Sequence, residues 1–239
     1  MIRTLGPVRF LEAIEPRTWA LLHDLGLTPE PLPAMFASAT AASGRTHLAA
    51  CRWRIGPPAG PLADGRLVRI QGVSSEIVNT MIFPAAPEEV PVFAAELLVF
   101  GGCPRLVFID LQVPGLATER CAQVAALTRE LTQRYAHLPG REQPPTWAID
   151  YSTGGYFFAR PDRRSTTDEL LELYAEYLQA WRDVAASARP QAGPAAFAAA
   201  RALREYKQRH LEHSPGRDFL AKVFGADWAY RFLHGFLYQ

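Results

Sequence analysis

Sulfur is scarce in this chain. Three cysteines (Cys51, Cys103 and Cys121) stand far apart among 239 residues, with no CxxC pair. That pattern argues against a disulfide framework and against zinc or iron–sulfur ligation, and it fits a reducing compartment, so the expected location is cytoplasmic. Long apolar runs are missing too. None approaches the roughly 20 residues that span a bilayer, and no signal peptide is visible. There is no GxGxxG and no P-loop, so the common phosphate cradles are absent. Neither charge dominates: 25 Lys and Arg oppose 24 Asp and Glu, a net charge of +1. Global electrostatics therefore offers no case for nucleic acid or for an acidic partner. There is no internal repeat and no long polar linker. With 49% hydrophobic residues, one domain over residues 1–239 is expected to bury a single sizeable core.

What is present is concentrated between Ser75 and Gln112. Three runs, SEIVNTMIF, VFAAELLVF and RLVFIDLQ, are rich in Val, Ile and Phe. Pro84 to Pro91 separates the first two, and Gly101, Gly102 and Pro104 punctuate the second junction. Such runs predict three consecutive strands. Two polar residues, Asn79 and Glu96, interrupt them. Alternation places Asn79 on a face with Ile77, Met81 and Phe83, and Glu96 on a face with Val92, Ala94, Leu98 and Phe100. If Phe83 pairs with Val92, Asn79 falls opposite Glu96. A slip of one residue would part them. A carboxyl group in that setting must be paired, protonated or turned toward a cavity.

Elsewhere the pattern is coarser. Residues 7–24 have helical spacing, with Pro16 expected to divide them into two short helices. Residues 26–45 read as loop with a helical turn. His47 to Ile55 and Leu67 to Gly72 are strand candidates on either side of GPPAGPLADG. A helix is predicted over 117–137 from Val124, Leu127, Leu131 and Tyr135. TWAIDYSTGGYFFARP reads as one or two strands broken at Gly154 and Gly155. Thr166 and Glu169 suggest a capping box opening a helix to Ser187 that turns Leu171, Tyr174, Leu178 and Trp181 inward. Ala195 to His213 predicts another helix, and 217–238 a short helix, a turn at Gly225 and an aromatic helix. Strands in the middle with helices around them imply an antiparallel sheet covered on its faces, not a doubly wound fold.

NTMIFP (79–84), VPVF (90–93), IDLQ (109–112), TWAIDYSTGGYFFARP and the ending GRDFLAKVFGADWAYRFLHGFLY together resemble ferredoxin-dependent bilin reductases, over roughly residues 45–238. The resemblance implies an α/β fold of the α+β type, a three-layer α/β/α sandwich around a mainly antiparallel sheet. It implies an oxidoreductase with no tightly bound cofactor and no metal, using reduced ferredoxin as electron donor. The substrate would be a linear tetrapyrrole, biliverdin IXα or a dihydrobiliverdin, reduced to a phytobilin through bilin radicals. A related family reduces a chlorophyll-derived open-chain tetrapyrrole and also carries Glu where bilin reductases usually carry Asp. A redox-inactive bilin or haem carrier is the third reading.

Residue by residue, the likeness makes Glu96 the proton donor and Asn79 its neighbour in the catalytic set. Asn stands there in members that make phycoerythrobilin or phytochromobilin, and His in those that make phycocyanobilin. The family's second acid corresponds to His213 and Ser214, where no Asp is present. His213 would take the acid's place, and Ser214 would touch substrate. Arg105 matches a position that contacts a propionate; Arg160 and Arg217 are further candidates, since a guanidinium forks onto a carboxylate. Asp110 belongs to a family motif but is left outside the catalytic set. Arg201, Arg204, Lys207, Arg209, Arg217 and Lys222 are expected to form a basic patch for acidic ferredoxin. The other partners implied are a haem oxygenase or a phytochrome-type acceptor. The expected state is a monomer.

Overall fold

The computed structural model describes residues 10–57, 62–85, 88–161 and 167–239. Its centre is an eight-stranded sheet, antiparallel at every pairing. The strands are β1 (Thr28–Glu30), β2 (Ser38–Thr40), β3 (His47–Ile55), β4 (Ala63–Gln71), β5 (Ser75–Pro84), β6 (Val92–Phe100), β7 (Cys103–Gln112) and β8 (Phe157–Ala159). They lie in the order β1-β3-β4-β5-β6-β7-β8, with β2 also on the outer edge of β3. The helices are α1 (Ile14–Leu22), α2 (Ala34–Ala37), α3 (Thr118–Arg134), α4 (Thr146–Ile149), α5 (Thr167–Ala186), α6 (Gly193–His213), α7 (Gly216–Phe224) and α8 (Ala226–Phe232), followed by a π-helical turn at Leu233–Leu237.

Alternation along β5, β6 and β7 sends side chains to two separate cores. Val78, Ile82, Phe93, Leu97, Ile109 and Leu111 pack with residues of α1, α3 and α5. Met81, Phe83, Val92 and Ala94 pack with Tyr206, Leu220 and the aromatic residues of α8 and the terminal turn. The result is the expected three-layer sandwich. The inward residues foreseen for α5, namely Leu171, Tyr174, Leu178 and Trp181, are all buried. Polar contacts fasten each layer. The Tyr174 hydroxyl lies 2.7 Å from that of Thr18 and donates to Thr80 at 3.3 Å, joining α5 to α1 and β5. Trp181 Nε1 donates to the Pro91 carbonyl at 2.8 Å. On the other face the buried Arg66 guanidinium donates to the carbonyls of Phe236, Leu237 and Gln239 and to Asp64. Those carbonyls are the unpaired end of the terminal turn, so Arg66 acts as its C-cap.

Several expectations need correcting. Pro16 does not divide the first helix. It is the third residue of α1, where the missing N–H would have had no partner inside the helix. A 3-10 turn at Phe10–Ala13 leads in, pinned by the Leu11 amide donating to the Glu76 carboxylate at 3.0 Å. The stretch 26–45 contains β1, α2 and β2, too short to show a period. The fourth strand starts at Ala63 rather than Leu67. Asp64 and Gly65 read as turn residues, yet a Cβ on Gly65 would stand 2.0 Å from Trp53 Nε1, so the glycine lets that indole lie across the sheet. Thr146–Ile149 is helical, and only Phe157–Ala159 is strand. Thr166 lies outside the described residues. No helix among the described residues is long and apolar enough to cross a membrane.

Candidate active site

Asn79 and Glu96 are direct partners across β5 and β6, and Phe108 faces Glu96 from β7. These side chains turn toward the face covered by α6 and the C-terminal segment. They form the floor of a cavity of about 780 Å³ including its open mouth. Met81, Ala94 and Leu106 complete the floor. Pro144, Pro145 and Trp147 form one wall; His210, Ser214, Pro215 and Tyr238 form the other, and Phe158 and Arg160 stand at the β8 edge.

The walls are braced from behind. Gln112 at the end of β7 donates through Nε2 to the Ala148 carbonyl at 2.6 Å, which anchors α4. Its Oε1 accepts the Tyr206 hydroxyl at 2.5 Å, which anchors α6. One glutamine therefore sets the spacing of the two walls. Trp147 bridges them from above, edge-on to His210 at 5.4 Å and stacked on His213 at 6.2 Å.

Electrostatically the floor is poised for a neutral acid. Glu96 retains some accessibility through the cavity but is surrounded by protein, and burial pushes its carboxyl above the ordinary range. No hydrogen bond reaches it among the described residues. Asn79 Oδ1 is sealed and has no hydrogen-bond partner, so it awaits a donor. The Tyr238 phenol is raised first by burial and then by Glu96, partly offset by a hydrogen bond with Ser214. Asp110 lies beside the site on the same sheet face, opposite Ala94. It is fully buried, and burial raises it to about 7. Ser152, the Leu111 amide and Gln112 lower it in part, yet none makes a hydrogen bond of ordinary geometry to either oxygen.

The remaining sequence candidates are distributed unevenly. Ser214 and Arg160 line the cavity; Arg160 also lies 3.3 Å from Glu142 at its rim. His213 is exposed and rests on the outer side of Trp147, away from the lining. Arg105 is exposed on β7, and Arg217 is exposed with its guanidinium on Asp218 and the Glu212 carbonyl. Neither lines the cavity. The basic patch is broken up by acids: Arg201 pairs with Glu205 and Arg209 with Asp150. Lys207 is withdrawn over the Phe83 ring, where burial lowers it to about 8. The structure adds Phe108, Trp147, His210 and Tyr238. Strand alternation from Glu96 across the next strand pointed to Phe108. The helical period pointed from Ser214 back to His210 and Tyr206. Trp147 and Tyr238 had no signal beyond membership of a motif. No group of three or more His, Cys, Asp or Glu is placed to hold a metal among the described residues.

Over 170 residues the chain is 26% identical to a 15,16-dihydrobiliverdin:ferredoxin oxidoreductase of Gloeobacter violaceus, covering 70% of each chain. Over 228 residues it is 25% identical to a phycoerythrobilin:ferredoxin oxidoreductase of the same organism, covering 92% of this chain and 90% of that one. The solved structure of tomato phytochromobilin synthase in complex with biliverdin superposes with a TM-score of 0.82, covering 96% of this chain and 82% of that one, at 15% identity. At that identity the likeness speaks for the fold. The family model for ferredoxin-dependent bilin reductases matches residues 17–239, and the chain belongs to that family.

Proposed function

We propose that the protein reduces a biliverdin-like linear tetrapyrrole held in the cavity between the sheet and the C-terminal helices. Reduced ferredoxin supplies electrons singly, and Glu96 supplies a proton to the bound pigment. Each two-electron reduction consumes two electrons and two protons. Adding an electron to a neutral conjugated pigment is easier when a proton offsets the developing charge. The observation that carries this reading is the facing pair at the cavity floor: a carboxyl group kept toward its neutral form by burial, beside an amide oxygen with no partner. The neutral acid donates; the amide oxygen takes an N–H of the ligand once the Asn79 side chain turns from the sealed floor into the cavity it lines. Arg160 at the rim is the guanidinium positioned to exchange Glu142 for a propionate. Chemistry through bilin radicals follows from one-electron delivery.

The test is anaerobic. The protein is mixed with biliverdin, ferredoxin, ferredoxin reductase and NADPH, and absorbance is followed. Conversion of the pigment supports the reading. Binding without conversion would instead identify a carrier. Failure to bind biliverdin, with binding of an open-chain chlorophyll catabolite, would transfer the cavity to that substrate.

A further inference from the structure

His210 lies on α6 one turn before Ser214, buried, and lines the same cavity as Glu96. Its Nδ1 stands 3.0 Å from the Tyr206 carbonyl oxygen. A carbonyl only accepts, so Nδ1 carries the hydrogen and, in the neutral ring, Nε2 is a bare acceptor. Nε2 makes no hydrogen bond among the described residues, and the ring belongs to the cavity lining. The ring is held on three sides: Tyr206 at 4.2 Å, Trp147 edge-on at 5.4 Å and Tyr238 at 5.7 Å. Burial, assisted by Arg209, lowers its pKa to about 4 against the opposing pull of the Tyr206 carbonyl. It is therefore neutral where the enzyme would work and unsuited to pairing with a propionate.

A cavity wall that presents an immobile neutral acceptor selects a ligand edge rich in N–H groups. Linear tetrapyrroles carry such an edge in their pyrrole and lactam nitrogens. We propose that His210 accepts a hydrogen bond from a ring N–H of the bound pigment through Nε2, and so fixes which edge of the pigment turns toward Glu96. The inference rests on the cavity being a bilin site.

The test uses His210→Phe, which keeps an aromatic ring but no acceptor, and His210→Gln, which restores one. Biliverdin affinity is read by absorbance titration without ferredoxin. His210→Phe is expected to bind roughly 5- to 100-fold more weakly, the effect of leaving a buried N–H unpaired. His210→Gln is expected to recover most of that loss. In the unmutated protein, the 15N signal of His210 Nε2 should report a bare acceptor and shift when biliverdin is added; this holds even where a variant fails to fold. Wild-type affinity in His210→Phe, equal loss in both variants, or an unmoved Nε2 signal overturns the proposal. Should the unmutated protein bind no biliverdin, the bilin reading fails and His210's role fails with it. Should Glu96→Gln bind biliverdin and stall while His210→Phe binds normally, only the role of His210 is lost.

Discussion

Glu96 on β6 and Asp110 on the neighbouring β7 share one face of the sheet, offset by two residues in register: one looks into a cavity, the other into packed protein. Their substitutions should separate accordingly. Glu96→Gln keeps the shape and a donor group but has no proton to give. Turnover should fall about 10²–10⁴-fold, with biliverdin affinity little changed, as read by anaerobic kinetics beside an equilibrium titration. Full activity in that variant removes Glu96 from proton transfer. Asp110 should instead report through stability. Its folded pKa, about 7, lies above the ordinary 3.8, so the folded state resists its ionisation. Its favourable contribution is complete below pH 4 and is lost as pH rises through 7. Between pH 4 and pH 8 the wild type should lose up to about 4 kcal/mol that Asp110→Asn does not lose, at about 1.4 kcal/mol per pH unit. Urea unfolding of both proteins at the two pH values measures this, and parallel curves would refute it. The faces of Asn79 and Glu96 were legible in the sequence because strands alternate strictly and the two runs are bounded by prolines; their pairing followed only on one register, the one the sheet adopts. The ionisation behaviour of Asp110 was not, because it depends on what α6 and the segment at Ser152 place over it.

At the scale of elements, two fastenings deserve mutation. Arg66 on β4 terminates the last turn of the chain with three carbonyl contacts. Arg66→Met leaves the buried Phe236 and Leu237 carbonyls without this donor, each at about 1–3 kcal/mol if water cannot reach it, while Gln239 keeps its bond from Lys207. Chemical denaturation should show a loss of several kcal/mol, and amide exchange should quicken first in Leu233–Leu237. Unchanged exchange there would show that the turn holds itself. Gly155 is the second. A Cβ there would stand 1.9 Å from Thr128 Oγ1, so the loop before β8 rests directly on α3. Gly155→Ala should cost about 1–3 kcal/mol and is read by the denaturation midpoint. The sequence marked Gly154 and Gly155 as breakers of a strand. What it could not reveal is that Gly155 is needed for a close approach of backbone to helix. Thr146–Ile149 looked like strand because its apolar residues carry no period over four positions; the turn is closed by the Ala148 amide donating to the Pro145 carbonyl and tied to β7 by Gln112.

For the molecule as a whole, charge is the variable. The net charge of +1 provides no broad field, so docking to an acidic protein would depend on local cations. Arg204 and Lys222 are exposed and carry no ion pair among the described residues, whereas Arg201, Arg209 and Arg217 face acids. If ferredoxin docks on this side, Arg204→Glu or Lys222→Glu should raise its KM by up to about 5-fold at low salt, the range of an exposed ion pair, and leave kcat alone. Added salt should erase the difference. Steady-state kinetics against ferredoxin concentration decides it; variants indistinguishable from wild type place the docking surface elsewhere.

The sequence alone determined the order of strands and helices through the centre of the chain and the faces of β5 and β6; the register that sets Asn79 against Glu96 was one of the pairings it allowed, and the sheet fixed it. The sequence could do that much because period and breakers are local properties. Only the tertiary structure decided which wall residues reach the cavity. His213 and His210 differ by three positions on one chain segment, yet one lies outside Trp147 and the other inside it. That choice depends on how α6 is seated against the sheet through Tyr206 and Gln112, a contact between residues 94 positions apart that no local pattern encodes.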